Sequence, residues 1–321
     1  MSVLIISSET DQATNDVIRW IHHYGEKVSR INEYPEVKIS CLDILSGKLS
    51  FQVGNEEISI DSIKSFWHRR DNFKIDFPKF VLKDDFLFSK ELRINLQHEL
   101  KKTNEFIHFK LLQKKSLGDF SKTDVNKLIV LECAKNVGIQ IPETLITTSK
   151  EELFKFKDKH TEIICKAISE GILFSHIDLG NIYSYTSVVT NELYDKLPAS
   201  FALSMFQNKI EKKYELRIFF LNQEFYAMAI FSQADAQTSI DFRKYNRQKP
   251  NRTIPFELPN ELKDKLTTLM ATLGLNTGSI DMAVTRQNEY IFFEVNPVGQ
   301  FGMTSYPCNY YLERKIAEFL I

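Results

Sequence analysis

No two cysteines in this chain stand in a CxxC spacing. Cys41, Cys133, Cys165 and Cys308 are scattered through 321 residues. That scatter argues against a zinc site or a disulfide frame and reads as buried free thiols in a reducing compartment. Long apolar runs are missing too: none approaches the roughly 20 residues that span a bilayer. "VLII" near the start is too short for a signal-peptide core and lacks a basic flank, so the expected location is cytoplasmic. Charge of one sign is also missing. Lys and Arg number 41 against 42 Asp and Glu, a net charge of −1, so nothing global attracts nucleic acid or an anionic membrane. The first strand–helix turn has no GxGxxG, which leaves a dinucleotide site unsupported. HExxH and Ser-His-Asp patterns are absent, as are repeats of 20–50 residues and low-complexity segments.

What remains is an ordinary globular composition, 43% hydrophobic and 26% charged, in a chain long enough for two or three packed units. "SVLIISSETD" reads as a buried strand and a polar turn. "TDQATNDVIRWIHHYG" reads as a helix capped by Thr10 or Asp11 and ended at Gly25. "KVSRIN" supplies the next strand, and strand–helix–strand order implies a parallel α/β unit. "ISCLDI" and "LSFQVGNEEISI" read as short strands. The stretch "KFVLKDDFLFSKELRINLQHELKKTNEFIHFKLLQ" reads as mostly helical.

A second unit opens near Lys115. Its helix has a Thr-Asp start signal at 123–124, Val125, Leu128, Leu131 and Ala134 or Lys135 at helical spacing, and an end at Gly138. "EIICKAI" and "NIYSYTSVV" read as strands. A third unit begins at "FALSMFQNKI" and holds the strands "ELRIFFLN" and "EFYAMAIFS".

The C-terminal hairpin allows a sharper reading. With strands at 279–285 and 290–295 and a turn centred between Gln287 and Asn288, Thr285 pairs with Tyr290, Ala283 with Phe292 and Asp281 with Glu294. Asn296 shares a face with Glu294 because side chains alternate. Like charges directly opposite one another destabilise a sheet. A divalent cation relieves them, and hard oxygen ligands of this kind suit Mg²⁺. The plainer alternative is a solvated hairpin edge.

Other charged residues carry two readings each. Lys166 interrupts an apolar strand, either as a snorkelling edge lysine or as a clamp on phosphate oxygens. Lys127, early in a helix, reads by default as solvated. "ELRIF" places Glu215 and Arg217 on one strand face, as a cross-strand ion pair or as part of a site. "DFRKYNRQKPNR", with Arg243, is a solvated basic loop or a segment that closes over an anionic substrate, and no aromatic platform supports RNA binding. "WHRR", Trp67 to Arg70, is a structural ion-pair cluster or a cleft-facing group.

Taken in order, "NKLIVLECAKNVGIQIPET", "IICKAI", "MFQNKI", "ELRIFF", "SIDMAV" and "FFEVNPVGQF" resemble an ATP-grasp ligase over roughly residues 115–310. The "WHRR", "ELRIF" and "FSQ…DFRKY" elements are similar to the peptide-macrocyclising graspetide or microviridin-type members, and closest to the grasp-with-spasm peptide maturases. The resemblance implies an α/β (α+β) ATP-grasp fold. A pre-ATP-grasp α/β domain would span 1–115, a central lid domain 116–200 and a C-terminal domain 201–321.

It also implies site roles. ATP and Mg²⁺ are the implied cofactors. Lys127 and Lys166 would contact the ATP phosphates or adenine edge, and Gln207, Lys209 and Ile210 would form the adenine hinge. Asp281, Glu294 and Asn296 would hold Mg²⁺. Glu215, Arg217 and Arg243 would line the reacting end, with Glu215 a candidate base. The loop after Lys166 departs from the family: only Gly171 and Gly180 are available for a phosphate lid, so its phosphate contacts stay unassigned. The implied partner is a precursor peptide, a leader plus a core rich in Thr, Asp and Glu, whose carboxylates are phosphorylated and joined to Thr or Ser hydroxyls or Lys amines. The segment between Ile182 and Leu197 is the implied leader dock, and dimers are common in such families. The rivals are another ATP-grasp carboxylate–amine ligase, which adds an amino acid to a protein tail or small molecule, and a non-catalytic ATP- or peptide-binding module.

Overall fold

The computed structural model describes residues 1–321 apart from 35, 72–73, 77–88, 170, 172, 177–179, 184–185 and 235–250. Contacts divide the chain into two compact units, residues 1–123 with 300–321, and residues 124–299. The three-segment division given above remains a proposal about domains.

The first unit begins with strand β1 (Ser2–Ile6), helix α1 (Gln12–His23) and strand β2 (Lys27–Ile31). Val3 to Ile6 are all fully buried. A continuous apolar run of this kind belongs to a parallel strand covered on both faces. Asp11, rather than Thr10, caps α1 by accepting from the Ala13 N–H at 3.2 Å. Gly25 follows the helix with a φ of +78°, the left-handed conformation that glycine adopts without steric cost. A small antiparallel sheet follows, built from β3 (Val37–Leu42), β4 (Leu49–Val53) and β5 (Glu56–Ser59). Strand β6 (Ile63–His68), helix α2 (Ser89–Leu112) and strand β7 (Lys115–Leu117) complete a parallel sheet of order β2-β1-β6-β7. One core, including Leu4, Ile31, Phe51, Phe66 and Ile107, joins both sheets.

In the second unit, helix α3 (Lys127–Asn136) leads into β8 (Thr144–Ser149), helix α4 (Lys150–Lys159) and β9 (Ile163–Lys166). The cap of α3 is Asn126, which accepts from the Leu128 and Ile129 N–H groups, not the Thr-Asp pair at 123–124. Thr, Asp and Asn are all capping residues, and the chain uses the last of the three. A separate hairpin, β10 (Leu173–His176) and β11 (Gly180–Tyr183), follows β9. The strand expected over "NIYSYTSVV" is divided between β11 and β12 (Ser187–Val188). Helix α5 (Asn191–Lys196) and β13 (Ser200–Asn208) complete a four-stranded antiparallel sheet of order β12-β9-β13-β8.

The rest of the unit is a five-stranded antiparallel sheet of order β16-β15-β14-β17-β18. Its strands are β14 (Lys212–Leu221), β15 (Glu224–Phe231), β16 (Arg252–Phe256), β17 (Thr277–Thr285) and β18 (Tyr290–Asn296). Helix α6 (Asn260–Thr272) lies between β16 and β17 in sequence. Val130, Leu131 and Ala134 of α3 and Leu262, Leu266 and Met270 of α6 bury one face of this sheet, against Ile218, Phe220, Ile280, Met282 and Phe292. Helices α7 (Gly302–Cys308) and α8 (Leu312–Leu320) then rejoin the first unit. Among the described residues no helix is long and apolar enough to cross a membrane.

Candidate functional site

The β17–β18 hairpin carries the two acids. Asp281 stands opposite Glu294, as the alternation predicts, but the rest of the expected register is displaced by one residue. Met282 pairs with Phe292, Ala283 with Ile291 and Val284 with Tyr290. The turn explains the shift: Thr285 N–H donates to Glu289 O at 3.0 Å, with Asn288 at a φ of +63°. A bulge at Phe293 then restores the phase before the acids are reached. A bulge leaves two residues opposite one and bends the strand locally. Here both Phe293 and Glu294 line the same cavity.

Past the acids the chain turns through "NPVG". Gly299 N–H donates to Asn296 O at 3.0 Å. A Cβ on Gly299 would lie 2.2 Å from Ser279 Oγ, so only glycine lets the turn lie this close to β17. Asn296 pairs with Ser279 in the ladder and is exposed, beyond the cavity lining.

Each acid has its own cation. Arg217 on β14 faces Asp281 across the ladder and donates from one terminal nitrogen to both carboxylate oxygens, at 2.6 and 2.7 Å. Lys166 at the end of β9 donates to Glu294 Oε2 at 2.7 Å, and Lys127 Nζ lies 3.9 Å from the same oxygen. Lys127 occupies the first turn of α3, where the helix dipole disfavours a cation. Its ammonium also donates to Ser169 O at 2.5 Å. The alternative of a solvated hairpin edge is therefore replaced by a paired one: Asp281 is 9% exposed and its partner Arg217 8%. Arg217 Nε is buried with no hydrogen-bond partner.

Glu215, two residues before Arg217 on the same face, is also buried. Its Oε1 accepts from Lys212 Nζ at 3.0 Å and from Ser232 Oγ at 2.7 Å. Burial pushes its carboxyl above the ordinary range, while Lys212 and Ser232 pull the other way. Raised affinity for a proton suits a group that must accept one.

These groups open on a cavity of about 420 Å³, within the range of small-molecule sites. Lys166, Asp281, Glu294 and Glu215 line it together with Gln207, Lys209 and Ile210 at the end of β13. Gln207 donates to Thr144 Oγ1 at 3.0 Å, which fixes its amide. Lys209 pairs with Glu162 through its side chain at 2.6 Å and through its backbone N–H to Glu162 O at 2.9 Å. Arg217, Lys127 and Asn296 border the lining residues without being among them. Arg243 lies outside the described residues.

Several lining residues were not singled out in the sequence. Ile164 and Glu162 precede Lys166 at intervals of two, so alternation along β9 pointed to them. Lys212, Arg286 and Phe293 carried no such signal, because a buried ion pair, a turn arginine and a bulge all read locally as surface or core.

The donors present fit a magnesium ion. Among the described residues no three His, Cys, Asp or Glu side chains gather at metal-binding distance. Mg²⁺ does not require this, since it commonly takes one or two carboxylates and completes its shell with water and phosphate. Asp281 and Glu294 are the carboxylates in place, with the Asn296 amide two residues on.

Lysines 127 and 166 with Arg217 supply positive charge for an anion, and Gln207 to Ile210 offer a mixed polar and apolar wall beyond them. An arrangement of this kind can accept an anion beside a partly apolar group.

No protein-family model and no curated protein matches the sequence. Solved structures do, over the whole chain. The macrocyclase MdnC of Microcystis aeruginosa MRC, bound with the precursor peptide MdnA, is 28% identical with a TM-score of 0.79, covering 100% of this chain and 99% of that one. A RiPP-associated ATP-grasp ligase of Chryseobacterium gregarium, in complex with ADP and a leader and core peptide, is 27% identical with a TM-score of 0.82, covering 100% and 95%. The ATP-grasp ligase PsnB, complexed with a phosphomimetic variant of its minimal precursor, Mg and ADP, shares the fold at 15% identity and a TM-score of 0.70, over 100% and 97%. The fold of this chain is the ATP-grasp fold.

Proposed function

We propose that this ATP-grasp protein is a ligase that uses ATP to activate side-chain carboxylates of a ribosomally made precursor peptide and closes them into macrocycles. The observation that carries the reading is the Asp281–Glu294 pair, set across a hairpin at a cavity that also holds Lys166 and Glu215. The full-length likeness to MdnC and to the Chryseobacterium enzyme supports it, since those structures hold a precursor peptide, and ADP with leader and core peptides.

In this reading Gln207, Lys209 and Ile210 face the nucleobase, while Lys166 and Lys127 grip the phosphates. Asp281 and Glu294, with Asn296, would hold Mg²⁺, which supplies charge neutralisation on the phosphate oxygens. Binding exchanges partners: Lys166 leaves Glu294 for a phosphate and Arg217 turns from Asp281 toward the reacting carboxylate.

The peptide carboxylate attacks the γ-phosphorus, the bond to the β-bridging oxygen breaks, and ADP departs. A Thr or Ser hydroxyl or a Lys amine then attacks the acyl phosphate carbonyl, and inorganic phosphate leaves as the ester or amide forms. The hydroxyl proton passes to a base, for which buried Glu215 is the candidate. Most of the protein's work is alignment and electrostatics. Arg217 and Arg243 present planar donors to the carboxylate and acyl phosphate, which lysine does not match.

The test is incubation of the protein with Mg²⁺, ATP and a candidate precursor, a short peptide rich in Thr with Asp or Glu near its end. Each cross-link removes one water from the peptide mass and releases one ADP. A peptide recovered at unchanged mass while free amino acids become ligated would replace this reading by the amino-acid ligase.

A further inference from the structure

A second cavity, wholly inside the first unit, has no part in that chemistry. It measures about 660 Å³ and is lined by α1 and the α7–α8 corner. Trp20, Tyr306 and Tyr311 bring aromatic rings to it. Tyr306 and Tyr311 are 59% and 61% exposed, so large ring surfaces are left to solvent. Tyr311 also has a φ of +53°, in the left-handed region that a bulky residue adopts only under constraint. The constraint is visible. Ser305 accepts the Leu312 N–H at 2.9 Å and, through its carbonyl, the Tyr310 N–H at 3.1 Å, which pins the corner on both sides of Tyr311.

Two carboxylates line the same cavity. Asp16 is satisfied: Oδ1 accepts from Arg19 at 2.7 Å and Gln12 at 3.1 Å, and Oδ2 from the Tyr306 hydroxyl at 2.6 Å. That pairing also accounts for Arg19, the one arginine of the lining. Glu313 differs. It is 5% exposed, its Oε2 accepts from Ser305 Oγ at 2.7 Å, and its Oε1 is buried with no donor. A buried carboxylate oxygen without a donor is costly and unusual. The faces of aromatic rings attract cations. Trp20 already does so, with the Arg314 guanidinium 5.7 Å from its ring centroid.

We propose that this cavity is a binding site for an organic cation, an alkylammonium or guanidinium group. Its N–H meets Glu313 Oε1, and its carbon chain lies against Trp20, Tyr306 and Tyr311. Two sources share this chemistry, a free small amine and a Lys or Arg side chain of a peptide. The proposal does not depend on the ligase reading, since none of its residues belongs to the nucleotide cavity.

The full-length protein is titrated with butylammonium, butylguanidinium, neutral butanol and a capped Gly-Gly-Lys-Gly-Gly peptide, followed by calorimetry and by indole fluorescence. Trp67 is only 2% exposed, so a response to an added ligand reports Trp20. Both small cations bind and butanol does not. A peptide tighter than butylammonium assigns the site to a peptide side chain, and the reverse order to a free amine. Glu313→Gln abolishes the preference for cation over alcohol. Tyr311→Gly weakens cation binding on the order of tenfold, while its melting temperature holds or rises, because glycine adopts the positive φ freely. Binding of butanol equal to that of the cations overturns the proposal. So does no binding of either cation, or unchanged affinity in a folded Tyr311→Gly protein.

Discussion

Two clusters of acids and arginines, one in each unit, use the same residue types to opposite ends. In the first unit Asp11 caps α1, accepts the Thr14 hydroxyl at 3.2 Å and meets Arg69 at 3.0 Å and Arg70 at 3.1 Å. Arg69 is 4% exposed and lies 5.2 Å above the Phe301 ring. Burial lowers its guanidinium to about 10, which leaves it charged at neutral pH. This is the structural alternative of the "WHRR" reading. In the second unit Asp281 and Glu294 are also paired, with Arg217 and Lys166, and each cluster holds one arginine whose buried Nε has no hydrogen-bond partner, Arg70 in the first and Arg217 in the second, yet only Asp281 and Glu294 line the cavity described above. Charge, burial and ion pairing are common to the two clusters and so do not mark a site. What marks it is that the paired acids themselves line a cavity.

The contrast predicts that substitutions in the second cluster remove chemistry and those in the first remove stability. The largest effect is expected from Glu294→Gln, which keeps the shape but supports a divalent cation poorly. ADP formation falls by about a thousandfold or more, read by nucleotide chromatography, with the melting temperature near that of the parent. Turnover at the parental rate would remove Glu294 from the site. Next is Asp11→Ala, which strands the buried Arg69 charge and uncaps α1. It costs about 3 kcal/mol of unfolding free energy, measured in urea, while nucleotide affinity per folded molecule is unchanged. Arg217→Lys follows: cross-linking drops by about a hundredfold while nucleotide binding persists by calorimetry.

The effect that is smallest at neutral pH, and grows only in acid, sharpens the comparison from the side of pH. Burial, with the nearby His68 second, pushes His108 down to about 3. The folded state therefore keeps His108 neutral while the unfolded chain protonates near 6.5. Stability is complete above that value and is lost as pH falls toward 3, by roughly 1 kcal/mol per unit. His108→Gln flattens this slope in urea titrations at pH 6, 5 and 4. An unchanged slope would place the acid sensitivity elsewhere.

Much of this was readable in advance where physics is local. β1 announced itself as an unbroken apolar run, and α1 by its cap and its closing glycine. The pairing of Asp281 with Glu294 followed from alternation. Yet its correctness depended on two offsets that cancel, a turn one residue out of the assumed phase and a bulge at Phe293, and neither has a sequence signature. Where cap residues crowd together, as in "TDVN", the local signal is degenerate and packing chooses Asn126. The Lys166–Glu294 contact spans most of the second unit and exists only once β9 and β18 are placed by their sheets. Ile164 and Glu162 were within reach of the same alternation that flagged Lys166, and Arg286 was not.

The bulge at Phe293 has a consequence for how the hairpin tolerates change. It works as a vernier between two scales, the ladder near the turn and the ladder near the acids, which run one residue apart. In a regular hairpin a one-residue alteration in the turn would invert every side chain beyond it, acids included. Here such a slip can be taken up at Phe293, which keeps Asp281 and Glu294 face to face and confines the disturbance to the stretch between turn and bulge, where it falls on the buried Phe292.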